Sequence, residues 1–194
     1  MRLFYLFIFI LVWVVSMSIA TADVKHQVGG GIYASSIKNS GKIEDFRPRS
    51  TLSDDKIDEV LNLDVFGVAA FGTFVINDNF GIRGLIGGGG SEDISSIILE
   101  GTALLGTGLG TEGPKFYIGP GYASDNMGTG QDSDVGSTNI DEITSAHLML
   151  GTGYNFESVA VDGWLAIRDD SAYDDVIPGT DEVYSYVISV SGLF

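Results

Sequence analysis

The chain ends on Tyr184-Ser-Tyr-Val-Ile-Ser-Val-Ser-Gly-Leu-Phe194, a stretch in which apolar residues alternate with small polar ones. Successive side chains of an extended strand point to opposite faces. One face therefore carries the even-numbered residues Tyr184, Tyr186, Ile188, Val190, Gly192 and Phe194. The other face is mostly serine. The stretch predicts a final strand with one apolar face and one mostly small, polar face, ended by an aromatic residue.

Seven further segments with strand-like alternation precede the last one. We predict eight strands, at approximately residues 25–35, 62–75, 80–89, 96–109, 115–123, 145–156, 159–168 and 183–194. Their connections are alternately long and short: 36–61, 90–95, 124–144 and 169–182 are the long ones, and 76–79, 110–114 and 157–158 the short ones. This order is typical of an all-β, membrane-spanning, closed up-and-down antiparallel barrel with its long loops at one end.

In every predicted strand one of the two faces is free of charge. We assign that face to lipid, because a charged residue facing lipid at the midplane would cost about 2–4 kcal/mol. The lipid-facing set includes Val28, Ile32, Leu63, Val65, Ala69, Phe71, Ile82, Ile86, Ile97, Leu99, Leu105, Ile118, Leu148, Leu150, Val161, Leu165 and Ile167. The opposite faces predict a structural polar network in the lumen, formed by Asp64, Arg83, Glu100, His147, Asp162 and Arg168.

Buried charges are costly unless they are paired. Arg83 and Glu100 lie nearly equidistant from the centre of the connection between strands three and four, so we predict that they pair. Asp162 and Arg168 are expected to find partners across the lumen.

Aromatic residues recur at the short-turn ends of the predicted strands, where a barrel in a membrane carries an aromatic girdle. Phe80, Phe116, Phe156 and Phe194 all fall on the face assigned to lipid. Pro120 interrupts the fifth strand and cannot donate a ladder hydrogen bond, which predicts either a bulge or an earlier end to that strand.

The first 22 residues have the features of an export signal. Arg2 precedes an apolar run of thirteen residues, 3–15, and Ala20-Thr-Ala22 is a small-residue cleavage site. The run is short for a membrane helix, which needs about 20 apolar residues, so an uncleaved anchor is the weaker alternative. We therefore predict a cleaved signal peptide at 1–22 and one barrel domain at 23–194. The chain has no cysteine, so disulfides are excluded.

The remaining sequence features indicate no catalytic site and no cofactor-binding site. The formal net charge of −16 argues against nucleic-acid binding. The G-x-G-x-x-G run at 108–113 is followed by Pro114 and a strand rather than a helix, which favours a hairpin turn over a nucleotide site. His147 follows Ser145 on one face, but a lumen histidine is the better interpretation than a lipid-acting enzyme. We predict no cofactor and no metal. The acidic long loops are interpreted as solvated surface, with divalent-cation bridging to lipopolysaccharide as the alternative.

The final strand resembles the closing strand of bacterial outer-membrane barrels, in which the terminal aromatic residue and alternate apolar residues form the assembly signal. The resemblance implies that role for Tyr186, Ile188, Val190, Gly192 and Phe194. The overall pattern resembles the small eight-stranded barrels, namely OmpA-type transmembrane domains, OmpX-like proteins and opacity-type proteins. Gly151-Thr-Gly-Tyr-Asn-Phe156 is similar to a G-x-G-Y-x-F pattern common among them.

That resemblance implies a location in the bacterial outer membrane. The implied partners are outer-membrane lipids, lipopolysaccharide and the barrel-assembly machinery, with an unidentified host or surface ligand as a further option. A structural, envelope-integrity or adhesin-like role is favoured, because the side chains of an eight-stranded barrel just fill its interior. A narrow porin-like channel is the alternative, and a barrel enzyme acting on lipid ranks third.

Overall fold

The computed structural model describes residues 26–39, 62–91, 94–129, 142–177 and 179–194. The predicted signal peptide at 1–22 and most of the connection at 36–61 lie outside these ranges. Eight antiparallel strands close into a barrel, each paired with its neighbours in sequence, and β1 paired with β8. The predicted up-and-down architecture is confirmed. The strands are β1 (Gln27–Asn39), β2 (Asn62–Asn77), β3 (Phe80–Gly90), β4 (Ile94–Thr107), β5 (Gly113–Thr129), β6 (Ile143–Asn155), β7 (Val159–Arg168) and β8 (Thr180–Leu193).

The two ends of the barrel differ. The short connections 78–79, 108–112 and 156–158 lie at one end, which we call the turn end. The first and last residues of the described barrel, His26 and Phe194, also lie at the turn end, where they exchange backbone hydrogen bonds of 2.9 Å. The longer connections lie at the opposite, loop end. One of them contains a single helical turn, α1 (Ser171–Asp174). Within the described ranges, no helix has the length and apolar character needed to cross a membrane.

The outer surface of the barrel is apolar along most of its height. Eleven predicted lipid-facing residues point outward and are exposed: Val28, Ile32, Ile82, Ile86, Ile97, Leu99, Ile118, Leu148, Leu150, Val161 and Ile167. Leu105 and Leu165 are half-buried, and the side chain of Leu63 lies outside the described part of the structure. Phe116, Phe156 and Phe194 are exposed near the turn end.

Among the outward strand positions whose side chains are described, charged residues occur only at the loop end. They are Lys38, Asp64, Asp181 and Glu182. Lys38 and Glu182 form an exposed ion pair of 3.2 Å. A belt free of charge below a charged rim is the surface that a lipid bilayer requires.

The face assignment of β2 was wrong. Val65, Ala69 and Phe71 are buried in the core, whereas Phe66 and Val68 are exposed at 65% and 70%. The register explains this, because Val68 lies opposite the outward-facing Ile32 of β1. The even-numbered residues of β2 therefore face outward.

The same shift of face removes Asp64 from the predicted lumen network. Asp64 is exposed on the outer surface, beside Ser36 near the loop end. A carboxylate at that rim reaches water and needs no partner inside the barrel.

Two further local predictions were wrong. Phe80 is 6% exposed and is not part of an outer aromatic girdle. It follows the turn at 78–79, where the β2–β3 register shifts between Val75 and Asn77, so the simple alternation fails there. Pro120 neither ends β5 nor causes a bulge. It pairs with Leu148 of β6, and the β4–β5 register is the same on both sides of it.

Candidate functional site in the barrel interior

Buried charged and polar side chains form two groups inside the barrel, alongside its apolar core. The lower cluster, nearer the turn end, contains Gln27, Arg83, Lys115, Tyr117 and Asp162. The upper cluster, nearer the loop end, contains Tyr33, Glu100, Asp125, Arg168 and Tyr173. Each cluster joins side chains of strands that are not neighbours in the sheet, so both span the lumen.

Asp162 is the centre of the lower cluster. Its carboxylate accepts a hydrogen bond of 2.8 Å from Lys115 Nζ and one of 3.2 Å from the Tyr117 hydroxyl. Arg83 Nη2 lies 3.7 Å from the same carboxylate. The side chains of Lys115 and Asp162 are 0% exposed. Two buried cations therefore share one buried anion.

The second cation of that cluster is enclosed by aromatic rings. The Arg83 guanidinium carbon lies 4.3 Å from the ring centroid of Trp164, 4.9 Å from Phe71 and 5.0 Å from Tyr117. Arg83 also donates hydrogen bonds of 2.9 Å to Thr73 Oγ1 and to the Tyr117 hydroxyl. Cation–π attraction is strongest in such desolvated settings, and it offsets part of the free-energy cost of burying the second cation.

The turn at 108–112 closes the lower end of the lumen. Leu109 is 2% exposed and belongs to the main apolar core. Asp78 holds the turn by accepting hydrogen bonds from the Gly108, Gly110 and Thr111 N–H groups and from the Thr111 hydroxyl. Gly108 has φ +74°, a conformation that favours glycine. The N–H groups of the G-x-G-x-x-G run are thus bound to a carboxylate of the protein itself.

Arg168 is the centre of the upper cluster. Its Nη2 donates to Glu100 Oε1 at 2.8 Å, and its Nη1 lies 3.5 Å from Asp125 Oδ2. Further hydrogen bonds of 3.1 and 2.9 Å reach Ser185 Oγ and the Tyr173 hydroxyl. One side chain on β7 thereby contacts β4, β5, β8 and α1.

Tyr173 carries this network into the loop end. It is 0% exposed and packs with Ile37, Met127, Ile143 and Val183 in a second apolar cluster. Burial raises the pKa of the Tyr173 hydroxyl to about 12, although Arg168 opposes the shift. The hydroxyl is therefore protonated at neutral pH, and it donates a hydrogen bond of 3.4 Å to Asp125. The α1 turn covers the lumen from the loop end.

His147 contacts a threonine rather than the nearby serine. Its Nε2 lies 2.8 Å from Thr102 Oγ1, and both side chains are buried. Ser145 Oγ and His147 Nδ1 make no hydrogen bond to each other, so these two residues do not form a nucleophile–base pair. In the described part of the chain, no group of three or more His, Asp or Glu side chains is placed to hold a metal ion.

Five of the six predicted network residues point into the lumen, but their partners differ from the prediction. Arg83 and Glu100 do not pair, because the β3–β4 register places Arg83 opposite Thr102 and Glu100 opposite Leu85. Arg83 contacts Asp162 instead, and Glu100 contacts Arg168.

The predicted network also omitted six members of the two clusters: Gln27, Tyr33, Lys115, Tyr117, Asp125 and Tyr173. Lys115 was on the inward face of its predicted strand, which was the signal that could have identified it. Asp125 was assigned to a loop, because β5 was predicted to end at residue 123 and in fact runs to Thr129. Tyr173 lies in a connection, where no alternation indicates a direction.

Comparison with known proteins places this geometry among membrane barrels. No protein-family model and no curated protein sequence matches the chain. Neisserial surface protein A matches with a TM-score of 0.56 and 10% identity, covering 90% of this chain and 98% of that one. The N-terminal β-barrel domain of Pseudomonas aeruginosa OprF matches with a TM-score of 0.54 and 15% identity, covering 90% and 100%.

A third similar structure is Ail, the attachment invasion locus protein of Yersinia pestis. It has a TM-score of 0.53 and 14% identity, covering 88% of this chain and 99% of Ail. This chain has the fold of the small eight-stranded outer-membrane β-barrels. At 10–15% identity the shared feature is the fold itself, and the predicted resemblance is confirmed at that level.

Proposed function

We propose that the protein resides in the bacterial outer membrane, with its turn end in the periplasm and its loop end outside the cell. The support is a charge-free apolar belt bounded by Lys38, Asp64, Asp181 and Glu182 at the loop end only. Export would use residues 1–22 as a cleaved signal peptide, leaving 23–194 as one barrel domain. Lipids and lipopolysaccharide are then its surroundings.

Within that membrane we infer a structural, envelope-integrity or surface-interaction role rather than solute conduction. The observation that carries this proposal is the filled lumen. Leu109 and the lower cluster occupy the turn-end half, and the upper cluster beneath Tyr173 occupies the rest. A protein of the same fold, Ail, is named for attachment, which fits a surface role for this chain with a host or surface ligand still to be identified.

Purified protein in planar lipid bilayers is expected to show no steady unitary conductance, because buried ion pairs and side chains fill the path. Bilayers with the detergent alone and bilayers with an open porin are the controls. Reproducible single-channel steps from the wild-type barrel would favour the narrow porin-like channel instead. A deletion strain compared with its parent for detergent sensitivity and surface adhesion then separates the envelope role from the adhesive one.

Deleting Phe194 is expected to reduce the amount of barrel in the outer membrane several-fold. The ring is 76% exposed, so it contributes little to the core, but it ends the strand that must be recognised and closed against β1. Fractionation followed by immunoblotting measures the level. We propose that Tyr186, Ile188, Val190, Gly192 and Phe194 are the assembly signal read by the barrel-assembly machinery.

Phe194→Tyr is the matched control, because it keeps an aromatic ring at the end of the chain. Refolding into detergent, without the assembly machinery, should be nearly normal for both variants. Unchanged outer-membrane levels in the deletion variant would refute the assembly role. Failed refolding in detergent would assign Phe194 to stability instead.

A further inference from the structure

Three outward-facing glycines lie side by side in the apolar belt of the barrel. Gly72 of β2 is paired with Gly84 of β3, and Gly84 is paired with Gly101 of β4. The row is continued by Val28 on β1 and by Tyr122 on β5, which are 60% and 69% exposed. Since neighbouring strands lie about 4.8 Å apart, the floor between these two large side chains is about 19 Å long.

The glycine row is the floor of a groove on the outer wall. The groove has a volume of about 660 Å³ and is open to the surroundings of the barrel. Ile86 and Leu99, which are cross-strand partners and more than half exposed, form its side toward the loop end. Small-molecule sites usually measure about 300–1,000 Å³, so the groove has room for part of a small ligand or one slender chain.

The fold itself does not require glycine at these positions. A Cβ atom added to Gly84 or Gly101 would meet no other atom within 4 Å, and one added to Gly72 would meet only a backbone oxygen at 3.9 Å. At Gly106, by contrast, a Cβ atom would collide with the carbonyl oxygen of Phe116. Glycine in a strand interior normally weakens the strand. The three glycines therefore leave space for something outside the chain.

The groove runs obliquely across the wall and rises toward the loop end. Val28 is the second residue of β1, whereas Tyr122 is the tenth residue of β5. Strands of a membrane barrel are tilted by about 35–45°, so a row across them rises at a similar slant. A second copy in the same orientation would be related by a two-fold axis along the membrane normal. Its oblique rows would cross those of the first copy, whereas a slender chain can follow the groove.

The loop-end margin of the groove is polar. Ser124 and Thr144 are cross-strand partners that line it. Ser124 Oγ donates a hydrogen bond of 2.5 Å to Oε1 of the exposed Glu142. Tyr122 adds an aromatic ring with a polar tip, which is typical of a membrane interface. No lysine or arginine side chain is exposed on this margin in the described part of the barrel. A carboxylate accepts hydrogen bonds only, so the margin suits an ammonium group better than an anion.

We propose that this groove binds one phospholipid with a primary ammonium headgroup, as in phosphatidylethanolamine. One acyl chain lies over Gly72, Gly84 and Gly101, and the ammonium group lies beside Glu142. Because lipid tails are as apolar as the wall, close van der Waals packing over the glycines holds the chain. The inference rests on the proposed membrane location and adds one specific lipid to the surroundings of the barrel.

Native mass spectrometry of the refolded barrel in detergent tests the groove, with palmitoyl-oleoyl phosphatidylethanolamine as the probe. The wild-type barrel should retain one lipid well before it binds others. Combining Gly84→Leu with Gly101→Leu should weaken binding of that lipid by about tenfold, because the new side chains fill the floor. Gly163→Leu is the matched control, since Gly163 is an outward glycine on β7 with no neighbour closer than 3.8 Å. It should retain the lipid.

The headgroup is tested with phosphatidylglycerol of the same acyl chains and with lipid A. Phosphatidylglycerol should bind about two- to fivefold more weakly than phosphatidylethanolamine, the usual contribution of an exposed ion pair. Glu142→Gln should remove that difference and still retain one lipid. Tighter binding of phosphatidylglycerol or of lipid A would overturn the headgroup assignment.

Equal lipid retention by the double leucine variant and the wild type, or no distinct first lipid, would overturn the groove. If the leucine variant does not fold, Gly84→Ala with Gly101→Ala should still weaken retention measurably, and unchanged retention would be equally decisive. The sequence has no cysteine, so Gly84→Cys reports the other occupant. Efficient disulfide dimers in lipid vesicles would show that a second copy covers the groove. Retention is measured independently of conductance, so conduction by the wild-type barrel would overturn the plugged lumen and not this site.

Discussion

Replacing Asp162 by alanine is expected to lower the free energy of unfolding by about 3–5 kcal/mol, the usual cost of leaving a buried charge without its partner. The effect should lie in the upper part of that range, because Lys115 and Arg83 would both lose their carboxylate. The Tyr117 hydroxyl would lose its acceptor as well. Urea unfolding of the refolded barrel in lipid vesicles, followed by Trp164 fluorescence, measures the change.

A companion variant shows whether charge or packing is responsible. Combining Asp162→Ala with Lys115→Met removes one of the stranded cations while keeping a long apolar side chain, so part of the stability should return. Glu182→Ala is the matched control, because it breaks the exposed ion pair with Lys38 and should change unfolding little. An Asp162→Ala barrel as stable as the control variant would show that the lower cluster is not an energetic unit.

The positions of the strands could be predicted from the sequence, because successive side chains of a barrel wall point alternately outward and into the lumen. β8 is the clearest case, since every outward position from Tyr184 to Val190 is large and apolar while Ser185 and Ser189 face the lumen. Each of the eight predicted segments overlaps an observed strand. The ends were less predictable. The last part of β5 has the composition of a loop because it contains Asp125. This carboxylate is accommodated inside the barrel by Arg168, which lies far away in the sequence.

The face of β2 was not predictable for a related reason. Both of its faces are apolar, with Val65 and Phe71 on one and Phe66 and Phe74 on the other. Only Asp64 distinguished them, and a charge so near the rim is tolerated on either face. The error also hid the aromatic enclosure of Arg83, since it placed Phe71 on the outer surface.

Which interior charges pair depends on how the strands are arranged around the lumen, and the spacing of residues in the sequence does not encode that arrangement. Counting from the centre of the β3–β4 connection placed Arg83 near Glu100, but long side chains reach beyond their own neighbours on the wall. Arg168 extends from β7 to Glu100 on β4, two strands beyond its β6 neighbour. Such a contact requires the wall from β4 to β7 to curve around the lumen.

A double-mutant cycle therefore separates the two pairings. Arg168→Met should lower the free energy of unfolding by about 3–5 kcal/mol, because Glu100 and Asp125 would remain buried without a cation. Glu100→Ala should also destabilise the barrel. The two changes together should cost less than their sum, by about 0.5–3 kcal/mol, as is usual for residues in one ion-pair network.

The same cycle between Glu100→Ala and Arg83→Ala should show weaker coupling than the Arg168 cycle, because Arg83 forms its ion pair with Asp162 and not with Glu100. Both cycles use the same unfolding assay, so the Arg83 cycle is the internal control for the Arg168 cycle. Strong coupling to Arg83 and none to Arg168 would restore the pairing expected from hairpin spacing and would contradict the observed register. Stronger coupling to Arg168 would establish that the upper cluster ties opposite walls of the barrel together across its lumen.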